Sequence, residues 1–396
     1  MITNSNWISS PIDIGEVCPV FSKDIRLRKP IKKAELSVSA TGVYEARIND
    51  RRAGDFILAP GLTSYKSRLQ YQTYDVTDML ENENTLSICL GKGWYRGRIS
   101  ANDKTINETD GAVIAELVIT YTDGSAESVV TDNSWNVSTS HILFSDIYDG
   151  ETYDASAEIK ELGNAVINNN ISKSALIEQE GECVKEQEKI KPVRMFTTPK
   201  GECVIDFGQN MAGWVRINIA KAAAGDTICI RYAERVKNDG TELDVENLRH
   251  SQSTDYYICN GKENNTSWSS RFSYHGFQYV EVTGYKNLKA EDLVAEVVYD
   301  DLEDNGTFEC SNDIMNRVYR NAWWGISSNY KGVPLDCPQR DERQPWLGDH
   351  AMGTWGESFM FNNGNTYAKW ADDIREAQRE DGCIPDICPA YFNYYT

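Results

Sequence analysis

The chain has 396 residues, with 60 acidic against 40 basic side chains and a net charge of −20. That length predicts more than one domain, since single cores stop growing at roughly 250–300 residues, and 40% apolar with 11% aromatic residues excludes a wholly disordered chain. The acid excess offers no basic stripe to a nucleic acid or an anionic membrane. No apolar run reaches the roughly 18–20 residues that span a bilayer, so neither nucleic acid nor membrane is expected as a partner.

Met1 to Trp7 lack the basic and apolar regions of a signal peptide. The ten cysteines stand singly, several within apolar strand-like runs such as Leu86 to Leu90, as buried reduced thiols do. Together these features predict a cytoplasmic location. The four histidines (141, 250, 275 and 350) are far apart, so no zinc site is expected and each reads as an ordinary surface or core residue.

Strand follows strand over residues 1–160. Phe21 to Leu27 and Val43 to Ile48 alternate apolar and polar, and Val113 to Tyr121 ends in a Thr122-Asp123-Gly124 turn. Asn49-Asp50-Arg51-Arg52 reads as a hairpin turn. This pattern predicts a first antiparallel β-sandwich. Residues 161–194 are polar and weakly patterned and read as a connecting segment. A second β-sandwich is expected over 195–305, with strands at Gly213–Ile219, Thr227–Tyr232 and Phe277–Val282 and turns at Asn238-Asp239-Gly240 and Asn260-Gly261.

From Ser311 the period changes from 2 to 3.6. Ser311 is placed as an N-cap, and Ile314, Val318, Ala322 and Ile326 repeat at four-residue spacing. A proline-rich loop interrupts, a second helix begins near Asp349 as its cap, and a third carries Tyr367, Trp370, Ile374 and Ala377 on one face.

The loop Asp336-Cys337-Pro338-Gln339-Arg340-Asp341-Glu342-Arg343-Gln344-Pro345-Trp346-Leu347-Gly348-Asp349 holds four carboxylates, two guanidiniums and an indole. Carboxylates interleaved with arginine and tryptophan can hold opposite protonation states at one pH, because a cation lowers a pKa and burial raises it. Tryptophan with aspartate also suits the apolar face and hydroxyl edge of a sugar. The alternative is a solvated, salt-bridged connection of no catalytic consequence. No clustered oxygen-ligand spacing suggests calcium, and neither metal nor cofactor is expected.

The run Asp336 to Arg343 followed by Trp346-x-Gly348-Asp349 resembles the signature of bacterial α-L-rhamnosidases, the large inverting family with a six-hairpin (α/α)6 barrel. Ala59 to Tyr65, Tyr71 to Thr77, Gly91 to Tyr95 and Gly150 to Ala155 are similar to that family's N-terminal β-domain. Asp206 to Trp214 and Tyr274 to Val280 are similar to its second β-domain. The resemblance implies a multidomain fold of two β-sandwiches followed, over 306–396, by the first helices of an incomplete (α/α)6 barrel. It implies removal of terminal α-L-rhamnose from a rhamnose-containing glycoside with inversion. Glu342 is then the general acid, and Asp336, Arg340, Trp346 and Asp349 bind substrate. Asp341 remains a competing acid on spacing alone.

A six-hairpin barrel needs about twelve helices of roughly ten to fourteen residues each, and the family's general base lies late in that barrel. The sequence is therefore expected to be a truncated N-terminal portion, inactive alone. Two other readings are a non-catalytic carbohydrate-binding or scaffolding fragment and a related glycosidase for another sugar.

Overall fold

The computed structural model describes residues 2–100, 104–107, 110–237, 240, 242–392 and 394–395. It is a β-rich fold of several units with few helices. In the first region a seven-stranded sheet, including Ile31–Ala40, Leu69–Asp75 and Ala112–Tyr121, faces a six-stranded sheet including Val20–Arg26, Val43–Ile48 and Glu83–Gly91. Period-2 alternation is the cause. Val113, Ala115, Leu117 and Ile119 point from one sheet, and Leu86, Ile88 and Leu90 from the other, into one buried core. The turns form as their residues require: Gly124 has φ +81°, and Asn49 and Asp50 take φ +51° and +62°, the two positive values of a tight hairpin.

A ten-stranded sheet makes up the second region, built on Cys203–Ile219, Thr227–Ala233, Thr254–Ile258, His275–Thr283 and Leu293–Asp300. Ladder hydrogen bonds join all ten strands into one sheet. The 17-residue strand Cys203–Ile219 makes this possible. It pairs with Arg194–Thr197 at its start and Thr266–Trp268 at its end, and its register shifts between Asp206 and Met211.

Membership departs from the sequence expectation in three ways. Ile142–Asp146 and Gly150–Asp154, read with the first region, belong to the ten-stranded sheet. The segment 161–194 is not a mere connection: Glu161–Asn164, Val166–Ile167 and Leu176–Glu178 edge the first two sheets, and Val184–Ile190 edges the third. Edge strands bury little, and Val166 and Ile167 are exposed, so no apolar alternation marks them. Two pairings are parallel rather than antiparallel, Gly150–Asp154 with Thr254–Ile258 and Leu176–Glu178 with Leu69–Asp75. The Asn238 and Asp239 turn positions lie outside the described residues; the strands on either side, Arg235–Lys237 and Glu242–Asp244, pair with each other.

Four α-helices are described, beside short 3-10 turns: α1 Gly93–Arg96, α2 Asp313–Asn329, α3 Leu347–Met360 and α4 Gly364–Ala377. Asn312 rather than Ser311 caps α2, its Oδ1 accepting the N–H groups of Ile314 (2.9 Å) and Met315 (3.3 Å). Asp349 does not cap α3, which already begins at Leu347 after Trp346; the carboxylate sits in the first turn, where the helix dipole favours it. The first half of the apolar stripe of α2 is bare, since Ile314, Met315 and Val318 are exposed, whereas Ala322 and Ile326 are half-buried and Trp323 and Trp324 pack on the core of the ten-stranded sheet. In contrast, α4 is docked. The Trp370 indole donates to the Cys388 carbonyl at 2.6 Å, and Lys369 donates to the Leu62 carbonyl at 2.6 Å. Arg68 of the first region binds Asp373 at 2.6 Å and Glu376 at 3.0 Å.

Candidate active site

The loop leaves α2 after Tyr330 and enters α3 at Leu347. Its entry is held by Asp300, whose carboxylate accepts the Gly332 N–H at 2.7 Å. Burial pushes Asp300 up and pulls the neighbouring Lys331 down. Its base closes on itself: the Asp336 N–H donates to the Gln344 carbonyl at 3.0 Å, and the Gln344 N–H donates to Asp336 Oδ1 at 2.7 Å.

The peg at the centre is Arg343. This side chain is buried, on a backbone at φ +45°. Its Nη1 donates to the carbonyls of Ile147 and Tyr274, both at 2.7 Å, while Nη2 and Nε reach Gln339 and Arg340 carbonyls at 3.1 Å. The guanidinium also lies over the rings of Tyr274 and Tyr148 at 4.6 and 5.1 Å. Gly276 permits the close approach, because a Cβ there would meet Pro338 Cγ at 2.9 Å and Gln339 Cα at 3.0 Å.

On this base four of the five sequence-derived residues converge. Arg340 links Asp336 Oδ2 (3.2 Å) to Glu342 Oε2 (2.8 Å). The Trp346 indole donates to Glu342 Oε1 at 3.1 Å, and Arg249 Nη1 lies 2.9 Å from Oε2. Burial raises the pKa of Asp336, offset in part by the Cys337 thiol, the Gln344 N–H and Arg340. Asp349 does not join them: it is exposed and makes no hydrogen bond or ion pair among the described residues.

Asp336, Cys337 and Glu342 offer ligand atoms within 4.8 Å of one another. A divalent ion is a poor fit there, since Arg340 already bridges the two carboxylates and burial pushes the Cys337 thiol up to about 12, far from thiolate.

Neighbouring carboxylates 341 and 342 are separated by environment. Asp341 has a fully buried side chain that faces His250 (3.1 Å) and Arg98 (3.5 Å), whereas Glu342 is 15% exposed. Arg249, His250 and Tyr148 escaped the sequence reading. Tyr148 donates to the Glu342 carbonyl at 3.0 Å. Arg249 takes φ +58°, a conformation that no sequence pattern advertises in a residue with a side chain. His250, read as an ordinary residue, pairs with the buried Asp341.

Three family models match in series: the α-L-rhamnosidase N-terminal domain over residues 29–197, the concanavalin-like domain of bacterial α-L-rhamnosidase over 196–299, and its six-hairpin glycosidase domain over 303–396. The chain belongs to the bacterial α-L-rhamnosidase family. It is 34% identical to α-L-rhamnosidases of Formosa agariphila, over 93% of this chain and 41% of the relative, and of Streptomyces avermitilis, over 96% and 38%. Among solved structures, α-L-rhamnosidase from Aspergillus terreus superposes with a TM-score of 0.93 at 33% identity, covering 99% of this chain and 47% of that one. The Streptomyces avermitilis α-L-rhamnosidase complexed with L-rhamnose gives 0.92 at 32% identity, covering 96% and 38%. The chain thus spans 38–41% of the length of the curated relatives it matches. All three rhamnosidase segments meet at the loop: Tyr148 and Arg98 come from the first, Arg249 and His250 from the second, and the loop itself from the third.

Proposed function

We propose that this chain carries the acid side of an inverting α-L-rhamnosidase centre, acting on terminal α-L-rhamnose of a glycoside or oligosaccharide. The observation that carries the reading is the setting of Glu342. It is the partly exposed carboxylate of the Asp341-Glu342 pair, and Asp336, Arg340 and Trp346 stand around it. Both guanidiniums engage Oε2. Oε1 faces Trp346 alone among the described residues and is the oxygen from which a proton can pass to the glycosidic oxygen as the bond breaks. Asp336 and Arg340 then hold sugar hydroxyls, Trp346 offers its ring to the apolar face of rhamnose, and Asp349 on the rim of α3 reaches a more distant hydroxyl.

Inversion also needs a base roughly 6.5–9.5 Å from the acid, activating water on the opposite face of the ring. In the family that base is a glutamate late in the barrel. Residues 1–396 assayed alone should therefore show no rhamnoside turnover. Joined to the remainder of a six-hairpin barrel they should release rhamnose as the β-anomer, read by NMR within the first turnovers. Initial release of the α-anomer would contradict the mechanism. We further propose a reducing, cytoplasmic setting, which the ten free thiols favour.

A further inference from the structure

Arg249 stands where an arginine is strained. It follows the short 3-10 turn Glu246–Leu248 and takes φ +58° and ψ −110°, a region that glycine enters freely and that a residue with a Cβ enters only at a cost in free energy. Such a backbone persists where its surroundings fix it, and here they do. The Ser251 hydroxyl donates to the Tyr148 carbonyl, the Gln252 N–H to Asp149 Oδ1 at 2.9 Å, and the Ser253 N–H to the Tyr148 carbonyl at 3.2 Å. The turn is thus stapled to Tyr148, whose own hydroxyl holds the Glu342 carbonyl.

Two consecutive pairs then meet face to face. Arg249 Nη1 lies 2.9 Å from Glu342 Oε2, and His250 Nδ1 lies 3.1 Å from Asp341 Oδ2. Arg98 closes a ring behind them, 3.5 Å from the same Asp341 oxygen and 2.8 Å from Asp149. The turn itself needs no arginine, since glycine would make it without strain. What the arginine adds is its guanidinium, and among the described residues the one charged partner of that guanidinium is Glu342. The balance of charge points the same way. Arg340 bridges two carboxylates, Asp336 and Glu342, and by itself leaves one negative charge uncompensated whenever both are ionised. Arg249 supplies the second cation, on the Glu342 side.

We propose that Arg249 is a positioning residue for the acid: it fixes Oε2 and stabilises the charge that Glu342 acquires as its proton leaves. The inference rests on the glycosidase reading above. In that step the Oε1–H bond breaks, its electron pair stays on the carboxylate, and the proton joins the glycosidic oxygen. The bond from that oxygen to the anomeric carbon breaks with its pair going to the departing alcohol. Negative charge therefore grows on Glu342 as the glycosidic bond opens, and a guanidinium already in place stabilises it without reorganising. Arg249 acts through Glu342 and not on the sugar.

The test compares Arg249→Gly and Arg249→Lys with the parent in the chain joined to a full barrel, on an alkyl and an activated aryl rhamnoside, with Glu342→Gln beside them. Arg249→Gly should lose about tenfold in kcat/KM on the alkyl substrate and no more than about threefold on the aryl one, because only the first depends on the proton. Arg249→Lys, which keeps the charge without the fork, should recover part of the loss. Urea denaturation of residues 1–396 gives a second reading: glycine relieves the turn, so the midpoint should hold or rise. An equal loss on both substrates, as a sugar contact or plain structural support would give, overturns the proposal. So does a lysine variant no better than glycine, or a midpoint that falls along with the rates. A split in Glu342→Gln without one in Arg249→Gly counts against Arg249 alone; no split in Glu342→Gln counts against the acid reading, and both fall.

Discussion

The helical segment presents two sides that differ in how they are held. Its inner side, formed by the 332–349 loop and α4, is pinned to both β-regions through buried groups: Arg343 on four carbonyls, and Asp373 and Lys369 on Arg68 and Leu62. Its outer side is bare. Ile314 of α2 is 74% exposed and Met352 and Trp355 of α3 are 88% and 80% exposed. Pattern and propensity make helices on both sides, but the inner side is held by buried ion pairs and hydrogen bonds, whereas α2 is held chiefly where Trp323 packs on Tyr299 and donates to Asp304 at 2.9 Å. The groups proposed to carry chemistry are on the inner side, where a guanidinium and a carboxylate can be fixed to within hydrogen-bond tolerance. The outer side exposes large apolar side chains, with Trp355 and Phe359 side by side on α3 at 6.2 Å between ring centroids.

The largest expected effect comes from cutting the peg. Arg343→Met orphans four buried carbonyls and should lower stability by at least about 3 kcal/mol, measured by urea denaturation, with rhamnoside binding lost in parallel. An intact binding isotherm in that variant would break the distinction between the two sides. Asp373→Ala should cost about 3 kcal/mol, since it leaves the buried Lys369 without its carboxylate, while Arg68 keeps Glu376 and Glu180.

A more gradual effect, spread over several pH units, is set by pH. Burial raises Glu151 from 4.5 to about 8, so the folded state holds its proton more tightly than the unfolded chain. Stability from this group is complete below about 4.5 and is lost as pH climbs toward about 8, by up to roughly 1.4 kcal/mol per pH unit. Glu151→Gln should flatten that slope in thermal melts taken across the window. A slope unchanged in the variant would place the titration elsewhere.

The smallest effect belongs to the outer side. Trp355→Ser should change stability by no more than about 0.5 kcal/mol, while light scattering should report less self-association. A loss of several kcal/mol would show that the bare face is packed after all.

What the sequence made legible follows the same division. Alternation at Val113 to Ile119 and Leu86 to Leu90 placed strands because each residue answers to a face. The three long helices were found through their period and caps, although the first cap fell one residue early because serine and asparagine serve that position about equally well; the one-turn α1 was missed, being too short to show a period. Edge strands such as Val166–Ile167 were missed, since pairing there depends on backbone groups and not on side chains. The site loop could be read because Asp336, Arg340, Glu342 and Trp346 lie within eleven positions of one another. Arg249 and His250 could not, for they arrive from about ninety positions away on a left-handed turn whose geometry is set by packing.

The central claim is that Glu342 delivers the proton to the departing oxygen. The direct measurement is the leaving-group dependence of kcat/KM for Glu342→Gln, made in the chain joined to a full barrel, with Asp341→Asn beside it. On alkyl rhamnosides, whose leaving alkoxides need protonation, Glu342→Gln should fall by about 10²–10⁴-fold. It should lose far less on an activated aryl rhamnoside, and Asp341→Asn should show no such split. An equal loss on both substrates in Glu342→Gln, or a split seen in Asp341→Asn instead, would contradict the assignment.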